Sequence, residues 1–311
     1  MAANSPNEIV LARTLELFNE ERKTFYSSAR WKQFIRADTS LYETAEKTPN
    51  FDPRFNAVHW AFDLSGLCRQ IVFSYLWMNA YARFYKDTVS PGSLPAHTNF
   101  YVTYFADNCI TRLDSSRDKL ALLVWAFYCP FNPEKRNEVI DYPKVIERLE
   151  HPVRFALRMK GVVPFLRCLK LLDGDEFRRV ERYRHLKIHR REPRIEIYGV
   201  APHHDWSYML PLTDEREIAR WEKELERLYP NDSSFRQRLR AKSRINGTLF
   251  EQRRLRDHLW SFSAVQKDLE SSLFKVLEAT TMCFHVLRKR LLSTSRQHSV
   301  RVSIRHKRKD R

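Results

Sequence analysis

Six glycines among 311 residues is the feature that most limits what this chain can fold into. Glycine enters left-handed backbone conformations without strain and lets the backbone approach a ligand or a neighbouring strand closely. Folds rich in tight turns need it repeatedly, as do the phosphate-binding turns of dinucleotide folds. β-Sandwiches, barrels and dinucleotide-binding sheets are therefore disfavoured. The expected class is mainly α, a helical bundle with long helices.

The apolar content fits that class. With 43% hydrophobic and 13% aromatic residues, a chain of this length can bury a core without staples. Five cysteines, Cys68, Cys109, Cys129, Cys168 and Cys283, are scattered and odd in number, and no two have metal-ligand spacing. They read as buried, reduced thiols of a cytoplasmic protein, with no metal and no cofactor expected. The opening MAANSPNEIV has no basic region followed by an apolar core, so a secretory signal is not expected. The strongest apolar run, 120–130, is shorter than the roughly 20 residues a membrane-spanning helix needs, so no membrane association is expected.

Apolar spacing of three and four residues predicts helices over 6–25, 30–37, 53–85, 98–113, 117–128, 143–150, 153–172 and 175–190. Asp52 and Pro53 suit a helix start, Asp114-Ser-Ser reads as a cap that opens a new helix, and Pro164 would bend the helix that holds it. The texture then changes. Residues 194–200 and part of 206–212 alternate polar and apolar, which predicts a small β-hairpin over the loop 201–205. Helices resume over 213–228 and after Pro230-Asn-Asp-Ser, and a last long helix is expected over 250–292. The expected organisation is an N-terminal helical extension over 1–50, a bundle over 51–292 with the hairpin inserted near 194–212, and a disordered basic tail over 293–311.

The net charge of +17 is unevenly distributed. Residues 177–191 hold seven Lys/Arg against one Glu, residues 236–256 hold eight against one, and residues 286–311 hold ten against one Asp. The remainder is slightly acidic. Clustered positive charge in the second half is the footprint of a polyanionic partner, RNA in the first instance.

The first of these clusters also carries chemistry. On a helical wheel Phe177, Val180, Tyr183 and Leu186 make an apolar side, while His185 and His189 share the opposite face with Arg178 and Arg182. Neighbouring cations disfavour the imidazolium, so the two histidines can give and take protons near neutral pH. Arg184 falls at the edge of the apolar side, where its guanidinium needs an anion: a phosphate, or an acid on another helix such as Asp107 or Asp118. Cleavage of RNA by its own 2′-hydroxyl needs a base, an acid and a cation for the charge on phosphorus, and these residue types supply all three without a metal.

Arg184-His185-Leu186-Lys187-Ile188-His189 resembles the signature of the HEPN superfamily: an arginine, a polar residue, three free positions and a histidine, on a helix late in an all-α bundle. The stretch 104–128, with Arg112-Leu-Asp-Ser-Ser-Arg-Asp-Lys-Leu-Ala, resembles the paired helices of large stand-alone bacterial HEPN proteins, and the resemblance spans residues 55–290. It implies a metal-independent ribonuclease of a toxin or antiviral defence system, acting as a homodimer with its two motifs facing each other. Carried onto this chain, Arg184 would polarise the phosphate, His189 would be the acid/base and His185 would support them. Arg178, Arg182, Lys187, Arg190 and Arg191 would hold the nucleic acid. The family also has members that only bind nucleotides or partner proteins. The alternative reading is thus a non-catalytic nucleic-acid or nucleotide binder, or an interaction module with an antitoxin or defence partner.

Other constellations have simpler explanations. Asp114 and Asp118 stand one turn apart like a metal pair, but a cap and an ion pair account for them. His203-His204-Asp205 fits a polar hairpin loop, and Phe73, Trp77, Tyr81 and Tyr85 fit a core stripe as well as a base-stacking platform. There is no Gly-rich phosphate loop and no nucleophile elbow, so ATPase, kinase and serine-hydrolase readings have no support.

Overall fold

A computed structural model describes residues 6–47, 55–88, 98–128, 141–151, 162–189, 194–196, 207–212, 214–230, 232–245, 248–254 and 259–309. The fold is mainly α, with ten helices and five short strands among the described residues. It divides into two compact units, one of Met1–Arg191 with Ser263–Arg311 and one of Glu192–Phe262.

The first unit is a helical bundle. Its members are α1 (Pro6–Ser27), α2 (Ala29–Glu46), α3 (Phe55–Thr88), α4 (Thr98–Tyr128), α5 (Tyr142–Glu150), α6 (Val162–Lys170), α7 (Asp175–His189) and α10 (Phe262–Lys309). α3 is the central element. Ala57, Leu64, Cys68, Ile71, Val72, Leu76 and Met78 are buried on several of its sides, as expected for a helix apolar all round. α1 packs on it through Phe18, which stacks on Trp77 at 4.3 Å between ring centroids. α10 closes the core with Leu269, Leu273, Val276, Cys283, Phe284 and Leu287. Its Thr280 hydroxyl meets the Cys68 thiol at 3.7 Å, and its Phe274 stacks on Phe25 at 5.9 Å.

Local sequence sets several helix ends. Ser28 accepts from Trp31 N at α2, and Asp141 accepts from Lys144 N at α5, with Pro143 in that first turn. Two expectations change here. Residues 98–128 form one continuous helix, not two, because Ser115 and Ser116 bond back to the carbonyls of Thr111 and Leu113 instead of capping a new start. The last helix starts at Phe262 and continues to Lys309, where a tail without structure was expected from residue 293. α6 is described from Val162 onward and holds Pro164 near that end. The expected helix start at Asp52-Pro53, the loop at 89–97 and the segment 152–161 lie outside the described residues.

The second unit holds β1 (Arg194–Glu196), β2 (Ser207–Leu212), α8 (Glu215–Leu228), α9 (Ser233–Lys242), β3 (Arg244–Ile245), β4 (Thr248–Arg254) and β5 (Leu259–Ser261). The hairpin expected near 194–212 does not form. β1 runs parallel to β5, and β2 pairs antiparallel with β4 over six positions from Ser207↔Arg254 to Leu212↔Leu249. Alternation marks a strand but does not choose its partner, and here both partners lie in 248–261, which the sequence reading gave to the last helix.

Candidate functional site

α7 starts with Asp175 and Glu176 in its first turn, where the positive end of the helix dipole favours carboxylates. It then buries Phe177, Val180 and Tyr183 at three-residue spacing, the apolar side read from the wheel. Four ion pairs surround that side. Toward α4, Arg117 meets Glu181 at 3.2 Å and Arg184 pairs with Asp114. Toward α10, Arg179 grips Asp268 with two contacts of 2.8 and 2.6 Å, and Glu176 pairs with Lys275. Burial pushes the Glu176 carboxyl up, but Lys275 and a backbone N–H together bring it below the ordinary glutamate value. One acid and one base of α7 thus pair on each side of its buried face.

Arg184 has its anion within the chain. The acid is Asp114, not Asp107 or Asp118, since the continuous α4 turns Asp114 toward α7. Asp118 instead accepts from Tyr142 N at 3.2 Å and so ties α5 to α4. Within the Arg184–Asp114 pair the carboxylate is the hidden end, at 13% side-chain exposure, and the guanidinium is 39% exposed. Burial raises the Asp114 carboxyl above the usual aspartate value, with the Arg184 cation pulling the other way and Asp118 adding to the rise. The arrangement is a part-exposed arginine held by a largely covered acid, with the arginine Nε itself buried and without a hydrogen-bond partner among the described residues.

Arg178 and Arg182, four residues apart, are exposed on α7. Arg178 stands 3.6 Å from Asp175 and Arg182 has no acidic partner among the described residues. The described backbone of α7 runs through His185 and Lys187 to His189. The side chains of His185, Lys187 and His189 lie outside the described part, as do Arg190, Arg191 and the His203-His204-Asp205 cluster. Sequence reasoning missed Asp114 as the partner of Arg184. The available signal was that Asp107, Asp114 and Asp118 fall on one stripe once 98–128 is taken as a single helix.

The remaining constellations resolve as follows. Among the described residues no group of three or more His, Cys, Asp or Glu is placed to hold a metal ion. No described helix is long and apolar enough to cross a membrane. Of the aromatic stripe on α3, Tyr81 and Tyr85 are buried, Trp77 is half-buried and stacks on Phe105 at 5.9 Å, and Phe73 alone is exposed. The stripe is therefore chiefly packing between α1, α3 and α4. No family model, no curated protein and no solved structure matches this chain.

Proposed function

We propose that this protein is a metal-independent endoribonuclease of HEPN type that works as a homodimer. The 2′-hydroxyl of RNA attacks the adjacent phosphorus and the bond to the 5′-oxygen breaks. The products are a 2′,3′-cyclic phosphate and a free 5′-hydroxyl. His189 serves as acid/base, taking the 2′-hydroxyl proton or returning one to the 5′-oxygen. His185 supports it, and Arg184 stabilises the charge that builds on the phosphoryl oxygens. Arg178 and Arg182 give the RNA backbone a cationic approach, and Lys187, Arg190 and Arg191 extend it. A neutralising antitoxin or defence partner is part of this reading, as is a cytoplasmic location.

The observation that carries the proposal is the Arg184–Asp114 pair: an arginine paired with a largely covered acid, yet 39% exposed, on the helix that bears both histidines. The test is wild type against His189→Ala and Arg184→Gln on total RNA with EDTA present. Wild type is expected to cut, and both variants to lose activity by about a hundredfold or more.

The same pair favours a second reading. Asp114 already balances the Arg184 charge, as a purely structural ion pair would, and the chain would then bind nucleic acid through its basic residues without cutting it. Undiminished RNA binding by a wild-type protein that leaves RNA intact would favour this alternative.

A further inference from the structure

The second unit has a surface that the nuclease reading leaves unused. In chain order it runs β2, α8, α9, β3, β4, and its three-stranded sheet has the order β2-β4-β3 with both pairings antiparallel. A strand, two helices joined by a short turn, and a two-stranded wing that folds back on the first strand are the strand, helix-turn-helix and wing portion of a winged helix-turn-helix, and among the described residues of the unit no helix precedes β2. The turn between α8 and α9 is four residues, Tyr229 to Asp232. It is firmly held. Asp232 caps α9 by accepting from Phe235 N at 2.8 Å, Tyr229 packs edge-on against Phe235 at 4.8 Å, and Arg236 donates to the carbonyls of Tyr229 and Pro230 at 3.2 and 3.3 Å.

Burial defines two faces of α9. Phe235, Arg236, Leu239 and Arg240 are half-buried, and Arg240 stands 3.5 Å from Glu222 of α8. Ser234, Gln237, Arg238, Ala241 and Lys242 are exposed on the other face. α9 has four basic side chains and no acidic one, whereas α8 is mixed in charge. The outward Arg238 and Lys242 form no ion pair at contact distance among the described residues, though the Arg238 charge reaches the cap carboxylate of Asp232 and its guanidinium lies 6.0 Å from the centroid of the Phe235 ring. Serine, glutamine, arginine and lysine on one exposed face of a second helix are the side chains that contact phosphates and base edges.

We infer that Glu192–Phe262 is a winged helix-turn-helix unit whose α9 enters the major groove of duplex DNA. The charge of α9 calls for a polyanion, and its shape calls for B-form DNA. An α-helix with its side chains is about 10–12 Å across, and the B-form major groove, about 12 Å wide, admits it, while the deep and narrow major groove of duplex RNA does not. The inference is independent of the cleavage proposed above. DNA has no 2′-hydroxyl, and His189→Ala is expected to bind duplex DNA as wild type does.

The test is the affinity of the full chain for a labelled 20-base-pair duplex DNA and for single-stranded and duplex 2′-O-methyl RNA of equal length, which attack by a 2′-hydroxyl cannot cut, over a salt series with EDTA. Arg238→Ala/Lys242→Ala is compared with Arg220→Ala/Lys223→Ala, which removes the same charge from the exposed surface of α8. The basic C-terminal stretch adds the same background to every protein. The α9 variant is expected to bind duplex DNA about tenfold more weakly, with the salt slope reduced by about two, and the α8 variant within about twofold of wild type. Equal losses from the two helices, an α9 variant that loses affinity for duplex RNA as much as for duplex DNA, or a wild type with no measurable DNA binding would each overturn the inference.

Discussion

Arg184 of α7 pairs with Asp114 in the middle of α4, seventy residues earlier in the chain. The acid is nearly hidden and the guanidinium is part exposed, so the acid positions and the arginine is presented. Asp114→Asn should therefore loosen Arg184 without removing it, and RNA cleavage should fall by about tenfold. Arg184→Lys should fall further, because an ammonium cannot bind the carboxylate and a phosphate with one planar fork. Initial rates on a labelled oligoribonucleotide measure both. Equal rates for Asp114→Asn and wild type would remove Asp114 from the account.

The same carboxyl gives a pH dependence with a definite sign. Burial raises its value in the folded chain above the ordinary 3.8. A raised acid contributes stability that is complete below its unfolded value and is lost as pH rises through its folded value. Asparagine does not titrate. The melting temperature of wild type minus that of Asp114→Asn should therefore decrease as pH rises above the ordinary aspartate range. Thermal melts of the two proteins over that rise are the check, and a difference that grows with pH would contradict the assignment.

Tyr142 links α5 to α6 where both support α4. Its buried hydroxyl donates to the Leu169 carbonyl at 2.6 Å, and Arg117 lies over its ring at 4.5 Å. Burial pushes the phenol up to about 12, so it remains a donor across the neutral range. Tyr142→Phe leaves Leu169 O with only its bond from Leu172 N, and should cost about 1 kcal/mol in urea unfolding.

How much of this could be read from the sequence depended on the range of the deciding interaction. The start of α9 was legible because Asp232 acts on a backbone N–H three residues away, and the buried side of α7 was legible because Phe177, Val180 and Tyr183 repeat at helical spacing. The pairing of β2 with β4 was not, because it joins Ser207 to Arg254 and nothing near either residue names the other. The spacing of Leu255, Leu259 and Phe262 mimics a helix, and over 250–254 and 259–261 strand pairing overrides it. Asp114-Ser-Ser has the composition of a cap. Only the distant Arg184, with two serines able to bond back within the helix, keeps it inside α4. For the six-residue motif the residue types and the part exposure of Arg184 were readable, while the acid that holds it lay a whole helix away.

The cysteines offer a check on the bundle core. Cys68, Cys109, Cys168 and Cys283 are all buried free thiols. Burial pushes Cys68 up to about 12 and Cys168 to about 11, with Cys109 and Cys283 also raised. Thiolates are the reactive form. Iodoacetamide at pH 8 should thus modify at most one of the five cysteines in the native protein, and all five in guanidinium. Mass spectrometry counts the adducts, and rapid modification of two or more native thiols would mean that the core is more open than described.

The central claim is that Arg184 and His189 drive attack by a ribose 2′-hydroxyl. It is tested most directly by incubating an oligoribonucleotide and its fully 2′-O-methylated counterpart with the wild-type protein in EDTA and identifying the product ends. The account predicts cleavage of the unmodified strand alone, with 2′,3′-cyclic phosphate and 5′-hydroxyl ends, and loss of that cleavage in His189→Ala. An intact unmodified strand, or equal cutting of the methylated one, would contradict it.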